Sequence, residues 1–122
     1  KIQQVLINLL VNAIQAMPGG GTLTVSTRTF YPSEESRTSH PVFRRFQPID
    51  RLVAVEVTDT GTGIAEEHLA RIFDPFFTTK PVGVGTGLGL TVTKRIVELH
   101  GGALEIENAS PCGVRATIIL KT

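Results

Sequence analysis

Three sets of residues in this chain have types and spacings suited to chemistry. Gly83, Gly85, Gly87 and Gly89 fall on every second residue of the run 74–90, DPFFTTKPVGVGTGLGL. Glycine permits close backbone approach, and bare N–H groups in such a run can donate to a phosphate. With Thr78, Thr79 and Lys80 beside them they suit a mobile loop that closes over an anion. A flexible surface linker is the plain alternative. Asp59-Thr60-Gly61-Thr62-Gly63-Ile64 follows directly on the apolar run LVAVEVT. A carboxylate at the end of a buried strand can accept a hydrogen bond from an exocyclic amine, while Gly61 and Gly63 let a flat ring lie against backbone. Asp-x-Gly is also an ordinary turn sequence. Gln4, Asn8 and Asn12 stand at i, i+4 and i+8 of a helical stretch, which puts them on one face. Asparagine is a mediocre helix former, so two of them inside an apolar helix need a reason. They are either part of a solvated face or neutral oxygen donors aimed into a site. An amide oxygen suits Mg²⁺ held jointly with substrate phosphates.

These residues need elements to carry them. Residues 1–17 read as a helix, with Ile2, Val5, Leu6, Leu9, Ala13 and Ala16 at helical spacing and Pro18-Gly19-Gly20-Gly21 as its stop. Residues 22–28 alternate and read as a strand, and 52–58 as an apolar, β-branched one. Residues 29–50 break the pattern with Pro32, Pro41 and Pro48, three serines and three arginines, and read as a long, partly mobile hairpin excursion. Phe43 and Phe46 could dock on the sheet or on a neighbouring domain. Residues 65–73 read as a short helix burying Leu69, Ile72 and Phe73. Residues 87–100 read as a long helix with Leu88, Val92, Ile96 and Leu99 on its inner stripe and Gly101-Gly102 as its stop. The glycine run therefore ends where a helix begins, and a helix N-terminus favours phosphate. Residues 103–107 and 114–120 read as strands joined by 108–113, a closing hairpin.

Composition bounds the rest. At 122 residues the chain forms one domain with a real core, and 41% hydrophobic and 19% charged residues are ordinary for a soluble protein. A net charge of +1 gives no bulk electrostatic case for nucleic acid or for direct membrane contact. Cys112 is the single cysteine, which excludes an internal disulfide and fits a reducing compartment; a cytoplasmic location is expected for the domain. The chain starts at Lys1-Ile2, already in helix-like sequence, so a piece of a longer, membrane-anchored or soluble parent is expected. GxxxxGK[ST] is absent, and the glycines do not give G-x-G-x-x-G. His40, His68 and His100 lack metal-ligand spacing, and no serine or cysteine has the context of an activated nucleophile.

Four separated segments resemble, in order, the boxes of sensor histidine kinases. Asn8-Leu9-Leu10-Val11-Asn12-Ala13 resembles the N box, Asp59-Thr60-Gly61-Thr62-Gly63 the G1 box, Phe73-Asp74-Pro75-Phe76-Phe77 the F box, and Gly85-Thr86-Gly87-Leu88-Gly89-Leu90 the G2 box. Together they cover nearly the whole chain. The resemblance is to the catalytic ATP-binding domain of two-component sensor kinases, within the superfamily that includes gyrase, Hsp90 and MutL. The wording Asn12-Ala13-Ile14-Gln15-Ala16-Met17 and Phe76-Phe77-Thr78-Thr79-Lys80 is most similar to nitrogen-regulation-type kinases.

The resemblance implies the Bergerat ATP-binding fold, a two-layer α/β sandwich with a mixed sheet of about five strands and three helices on one face. It implies ATP and Mg²⁺ as ligands. Asn12 would coordinate the metal and Asn8 support the phosphate or metal side, the two forming the catalytic pair. Asp59 would bind the adenine amino group, with Gly61, Gly63 and Ile64 lining the base. Gly85, Thr86, Gly87, Leu88 and Gly89 would wrap the phosphates, with residues 73–80, including Phe77, as the movable lid and Lys80 reaching the γ-phosphate. It implies as partners an upstream dimerisation domain bearing the acceptor histidine, homodimeric in the parent, and a response-regulator receiver domain. None of the three histidines precedes an acidic residue as the acceptor does. A gyrase-type ATPase clamp and a degenerate module that binds no nucleotide are the alternatives. An amide at Asn8, where gyrase-like enzymes carry a glutamate, is a poor base and favours transfer over hydrolysis. Gln15 stands where sensor kinases often have Lys or Arg, Thr is lacking near Val114, and the 29–50 excursion is long for the family.

Overall fold

The computed structural model describes residues 2–39, 41–77 and 89–122. Helix α1, Ile2–Gln15, buries Val5, Leu9 and Ala13, an i, i+4, i+8 stripe. Strand β1, Leu23–Phe30, follows, then helix α2, Glu34–Ser39, a 3₁₀ turn, Pro41–Arg45, and strand β2, Leu52–Asp59. Helix α3, Glu66–Leu69, and helix α4, Gly89–Leu99, precede strands β3, Ala103–Asn108, and β4, Val114–Lys121.

The fold is the expected α/β arrangement, but the described sheet has four strands, in the order β1-β2-β4-β3, and every pair is antiparallel. The expected mixed sheet of about five strands is corrected accordingly. The reason lies in β4. Strands β2 and β3 run in the same sense, joined through α4, but β4 hydrogen-bonds to both and stands between them. No two neighbours are then parallel.

Strand alternation sends one set of side chains to each face. Val57, Leu104, Ala116 and Ile118 meet Val5, Leu9 and Ala13 of α1 and Val97 of α4 in the main core. Helices α1 and α4 thus form the second layer. α3 is a single turn with no buried residue, where a helix over 65–73 was expected. Beyond Leu69 the chain closes in i→i+3 turns, Arg71 N to His68 O at 2.8 Å and Asp74 N to Arg71 O at 2.9 Å. Asp74 precedes Pro75, which disfavours helix there.

The inner stripe of α4 also differs from expectation. Val92 and Leu99 are 38% and 68% exposed, whereas Thr93 and Val97 are fully buried. A polar residue occupies the core position because its hydroxyl is satisfied: Thr93 Oγ1 donates to Gly89 O at 2.7 Å. Leu88 lies outside the described residues.

The outer face of the sheet has a smaller core. Phe46 is 2% exposed and packs with Leu52, Ala103 and Ile119, flanked by Phe30, Val42 and Phe43. The excursion therefore begins later than expected, since Phe30 still pairs with Leu52, and it docks on the sheet. Arg45 Nη1 fastens its 3₁₀ turn to Gly102 O at 2.7 Å. Beside it a groove of about 170 Å³ runs between Phe43 and the charged residues Arg28, Glu56 and Arg115. We expect Phe46→Leu to cost about 1 kcal/mol of stability, read as a lower urea midpoint, with ligand affinity unchanged. An altered affinity would show that the two faces are coupled.

Candidate functional site

Asp59 ends β2 with its side chain on the helix-bearing face, in register with Val57, and is 4% exposed. Its Oδ1 accepts two backbone hydrogen bonds, from Gly61 N at 2.8 Å and Val114 N at 3.2 Å. Those bonds fix the carboxylate plane. Oδ2 has no partner among the described residues and remains an acceptor for a ligand.

The loop after Asp59 is held on two sides. Toward α1, Thr22 N donates to Thr60 Oγ1 at 3.0 Å, and that hydroxyl donates to Met17 Sδ at 3.6 Å. Gly61 lies so close to the end of α1 that a Cβ there would stand 2.4 Å from Ala16 O. Toward the β3–β4 turn, Asn108 bonds both backbone groups of Ile64. Asp59, Gly61, Gly63 and Ile64 are thus brought into one loop, walled by the last turn of α1 and by the β3–β4 turn.

The amides of α1 lie one and two turns before Ala16, the residue that Gly61 approaches. Asn12, the nearer, is partly buried, and its side chain has no hydrogen-bond partner among the described residues. Asn8 Nδ2 donates to Thr93 Oγ1 at 3.1 Å. Because the Thr93 proton is already given to Gly89 O, Thr93 must accept here, which turns the Asn8 amide so that Oδ1 is its free acceptor. Asn8 is therefore linked through Thr93 to Gly89, the first residue of α4. Gln4, on the same stripe, is exposed.

Phe77 rests on the α3 segment, with the Arg71 guanidinium 4.6 Å from its ring centre and the His68 ring at 5.4 Å. Phe73 is half-buried against the main core, with Lys94 Nζ 4.6 Å over its ring and its carbonyl accepting from Thr91 Oγ1 at 2.9 Å. Lys80, Gly85, Thr86, Gly87 and Leu88, and with them the end of the expected lid and most of the expected phosphate loop, lie outside the described residues.

The sequence reading missed Thr93, Asn108, Gly113 and the Val114 N–H. Thr93 sits on a helix stripe where only apolar residues were sought, and 108–113 carried no signal beyond that of a hairpin turn. The donor set fits Mg²⁺ shared with phosphates. Among the described residues Asn12 and Asn8 each offer an amide oxygen without a partner, and no group of three or more His, Cys, Asp or Glu side chains could cage a metal by itself.

The family model for "Histidine kinase-, DNA gyrase B-, and HSP90-like ATPase" matches residues 1–122. This chain belongs to that ATPase family. Within it, the chain is 42% identical over 120 residues to the sensor kinase CckA of Brucella abortus, covering 98% of this chain and 12% of that protein. It is equally 42% identical over 120 residues to the sensor histidine kinase ZraS of Salmonella typhi, covering 98% of this chain and 22% of that one. The chain thus spans a small part of the relatives it matches. Among solved structures, a nucleotide-free catalytic domain of the histidine kinase ThkA superimposes with a TM-score of 0.73 at 36% identity, over 98% of this chain and 65% of that one. The mycobacterial sensor histidine kinase MprB gives 0.71 at 29% identity, over 97% and 68%. These relatives place this ATP-binding domain with the histidine kinases of the family rather than with its gyrase or HSP90 branches. No helix of the described residues is long and apolar enough to cross a membrane.

Proposed function

We propose that this domain binds Mg²⁺·ATP between α1 and the loop 59–64. Within a full-length sensor kinase it presents the γ-phosphoryl group to a histidine on a separate, homodimeric dimerisation helix, for relay to an aspartate of a receiver domain. The observation that carries the reading is the Asp59 carboxylate, with one oxygen fixed by two N–H groups and the other without a partner among the described residues.

Asp59 Oδ2 accepts from the adenine amino group while the backbone of Gly61, Gly63 and Ile64 lines the ring. Asn12 supplies an oxygen to the metal, and Asn8, oriented by Thr93, faces the phosphates. Gly89, at the start of α4, contributes to the phosphate end with Gly85, Thr86, Gly87 and Leu88. Phe77 and Lys80 belong to the closing segment, and Lys80 meets the γ-phosphate. Bound Mg²⁺ would offset phosphate charge. The protein's part is positioning, which phosphoryl transfer chiefly requires. Neither Asn8 nor Asn12 can act as a strong base near neutral pH, so transfer to a supplied acceptor is favoured over hydrolysis.

Calorimetry with a non-hydrolysable ATP analogue, with Mg²⁺ and with a chelator, tests the site. Asn12→Ala should weaken Mg²⁺-dependent binding by about tenfold and change metal-free binding little. Equal losses under both conditions would remove Asn12 from the metal site. Incubation with γ-labelled ATP tests the transfer, since the domain alone should stay unlabelled. Stoichiometric self-labelling would overturn the need for a separate acceptor.

A further inference from the structure

We propose that Asn108, the last residue of β3, is a positioning residue that sets the base pocket and sharpens its choice of a 6-aminopurine. The inference rests on the reading of residues 59–64 as that pocket. Asn108 Oδ1 accepts from Ile64 N at 2.8 Å, and its Nδ2 donates to Ile64 O at 2.7 Å. One side-chain amide thus satisfies both backbone groups of one residue 44 positions away. Only one orientation of the amide does so, because a flip would set oxygen against oxygen and nitrogen against nitrogen.

The same turn grips the other end of the loop. Ala109 N donates to Gly113 O at 2.8 Å, which closes the turn, and the next residue, Val114, donates its N–H to Asp59 Oδ1. The β3–β4 turn therefore holds the loop at both Asp59 and Ile64, while Thr60 is also tied to Thr22 N, and among the described residues Gly63 is held only through its neighbours. Gly63 takes a φ of +78°, and a Cβ there would stand 3.0 Å from Asn108 Oδ1. The turn fits tightly against the loop, and a Cβ at Gly63 would require Asn108 to give way.

Base choice follows from this geometry. Asp59 Oδ2 can only accept, so an amine at purine position 6 pairs with it and a carbonyl there meets a second acceptor. The discrimination holds only while the ring stays in the plane of the carboxylate, against backbone that does not yield. Releasing Ile64 lets the loop relax. The amine then pairs less well and the carbonyl is repelled less.

Asn108 is exposed, so its variants should fold. The test compares the intact domain with Asn108→Ala and the isosteric Asn108→Asp, whose second oxygen faces Ile64 O and cannot donate. Affinities are measured for non-hydrolysable ATP and GTP analogues in chelator, beside amide exchange at Ile64 and thermal melting. Both variants should lose about tenfold in affinity for the ATP analogue and less than about threefold for the GTP analogue, so that selectivity narrows. Exchange at the Ile64 amide should quicken in Asn108→Ala. Unchanged selectivity, or a parallel loss for both analogues that tracks a falling melting temperature, overturns the role. A wild-type domain that binds neither analogue defeats instead the base-pocket reading on which the inference rests.

Discussion

Replacing Asp59 with asparagine should lower affinity for an ATP analogue by about 100-fold, with the fold intact. An asparagine oxygen can still accept from Gly61 N and Val114 N, so the loop keeps its two anchors. The second carboxylate oxygen, however, becomes an NH₂ group. It would face the adenine amine at a position only 4% exposed. A charge-assisted bond worth about 1.5–3 kcal/mol is lost, and two donors are left facing each other, which adds about 1 kcal/mol or more. Calorimetry reads the affinity, and a melting curve close to wild type confirms that the loss is local. Retention of affinity within threefold would mean that the carboxylate is not the acceptor for the base.

The second large effect is on stability. Gly113 has a φ of +89°, and a Cβ there would stand 1.9 Å from Asp59 O, 2.6 Å from Asp59 C and 2.9 Å from Asp59 Oδ1. The first two are backbone atoms and cannot turn aside. Gly113→Ala must therefore push β4 away from the end of β2, or unwind the turn. Left-handed strain of about 1–3 kcal/mol adds to overpacking of about 1–3 kcal/mol. The expected sum, about 2–6 kcal/mol, is a large share of the total stability of a domain this size. Gly101→Ala separates the two terms. Gly101 also has a positive φ, +75°, but nothing lies within 4 Å of its Cβ position. It should cost only the backbone strain, about 1–3 kcal/mol. Chemical denaturation of both variants checks the difference. Equal midpoints would show that the close approach at Gly113 is relieved cheaply. Gly113→Ala should also bind nucleotide poorly in the fraction that folds, since the displaced Val114 N–H no longer orients Asp59.

Local signals in the sequence account for the scaffold. Apolar residues at helical spacing marked α1, alternation and β-branched residues marked the four strands to within two residues, and the glycines after Asp59 marked the loop that carries the base site. Each is a property of neighbouring residues, so it is visible along the chain. The stripe on α4 was misread for the same reason. Val92 and Leu99 look like core residues by type, yet Thr93 faces inward because Asn8, 85 residues earlier, and Gly89 satisfy its hydroxyl. Likewise Phe46 had two possible docking places, and only the assembled sheet, with Leu52, Ala103 and Ile119 side by side, provides the surface that buries it. Strand order and direction were also undecided locally, because β4, the last strand in the chain, inserts between β2 and β3.

The amino-acid sequence by itself determined which residue types could meet a nucleotide: an acid before glycines, and amides on one helix face. Tertiary structure alone decided how they are aimed. Asp59 is oriented by the N–H of a residue 55 positions away, and Ile64 by an asparagine 44 positions away. Hydrogen bonds of such sequence separation leave no periodic trace in the chain, and they form only when two distant turns are brought together by the pairing of β2 with β4.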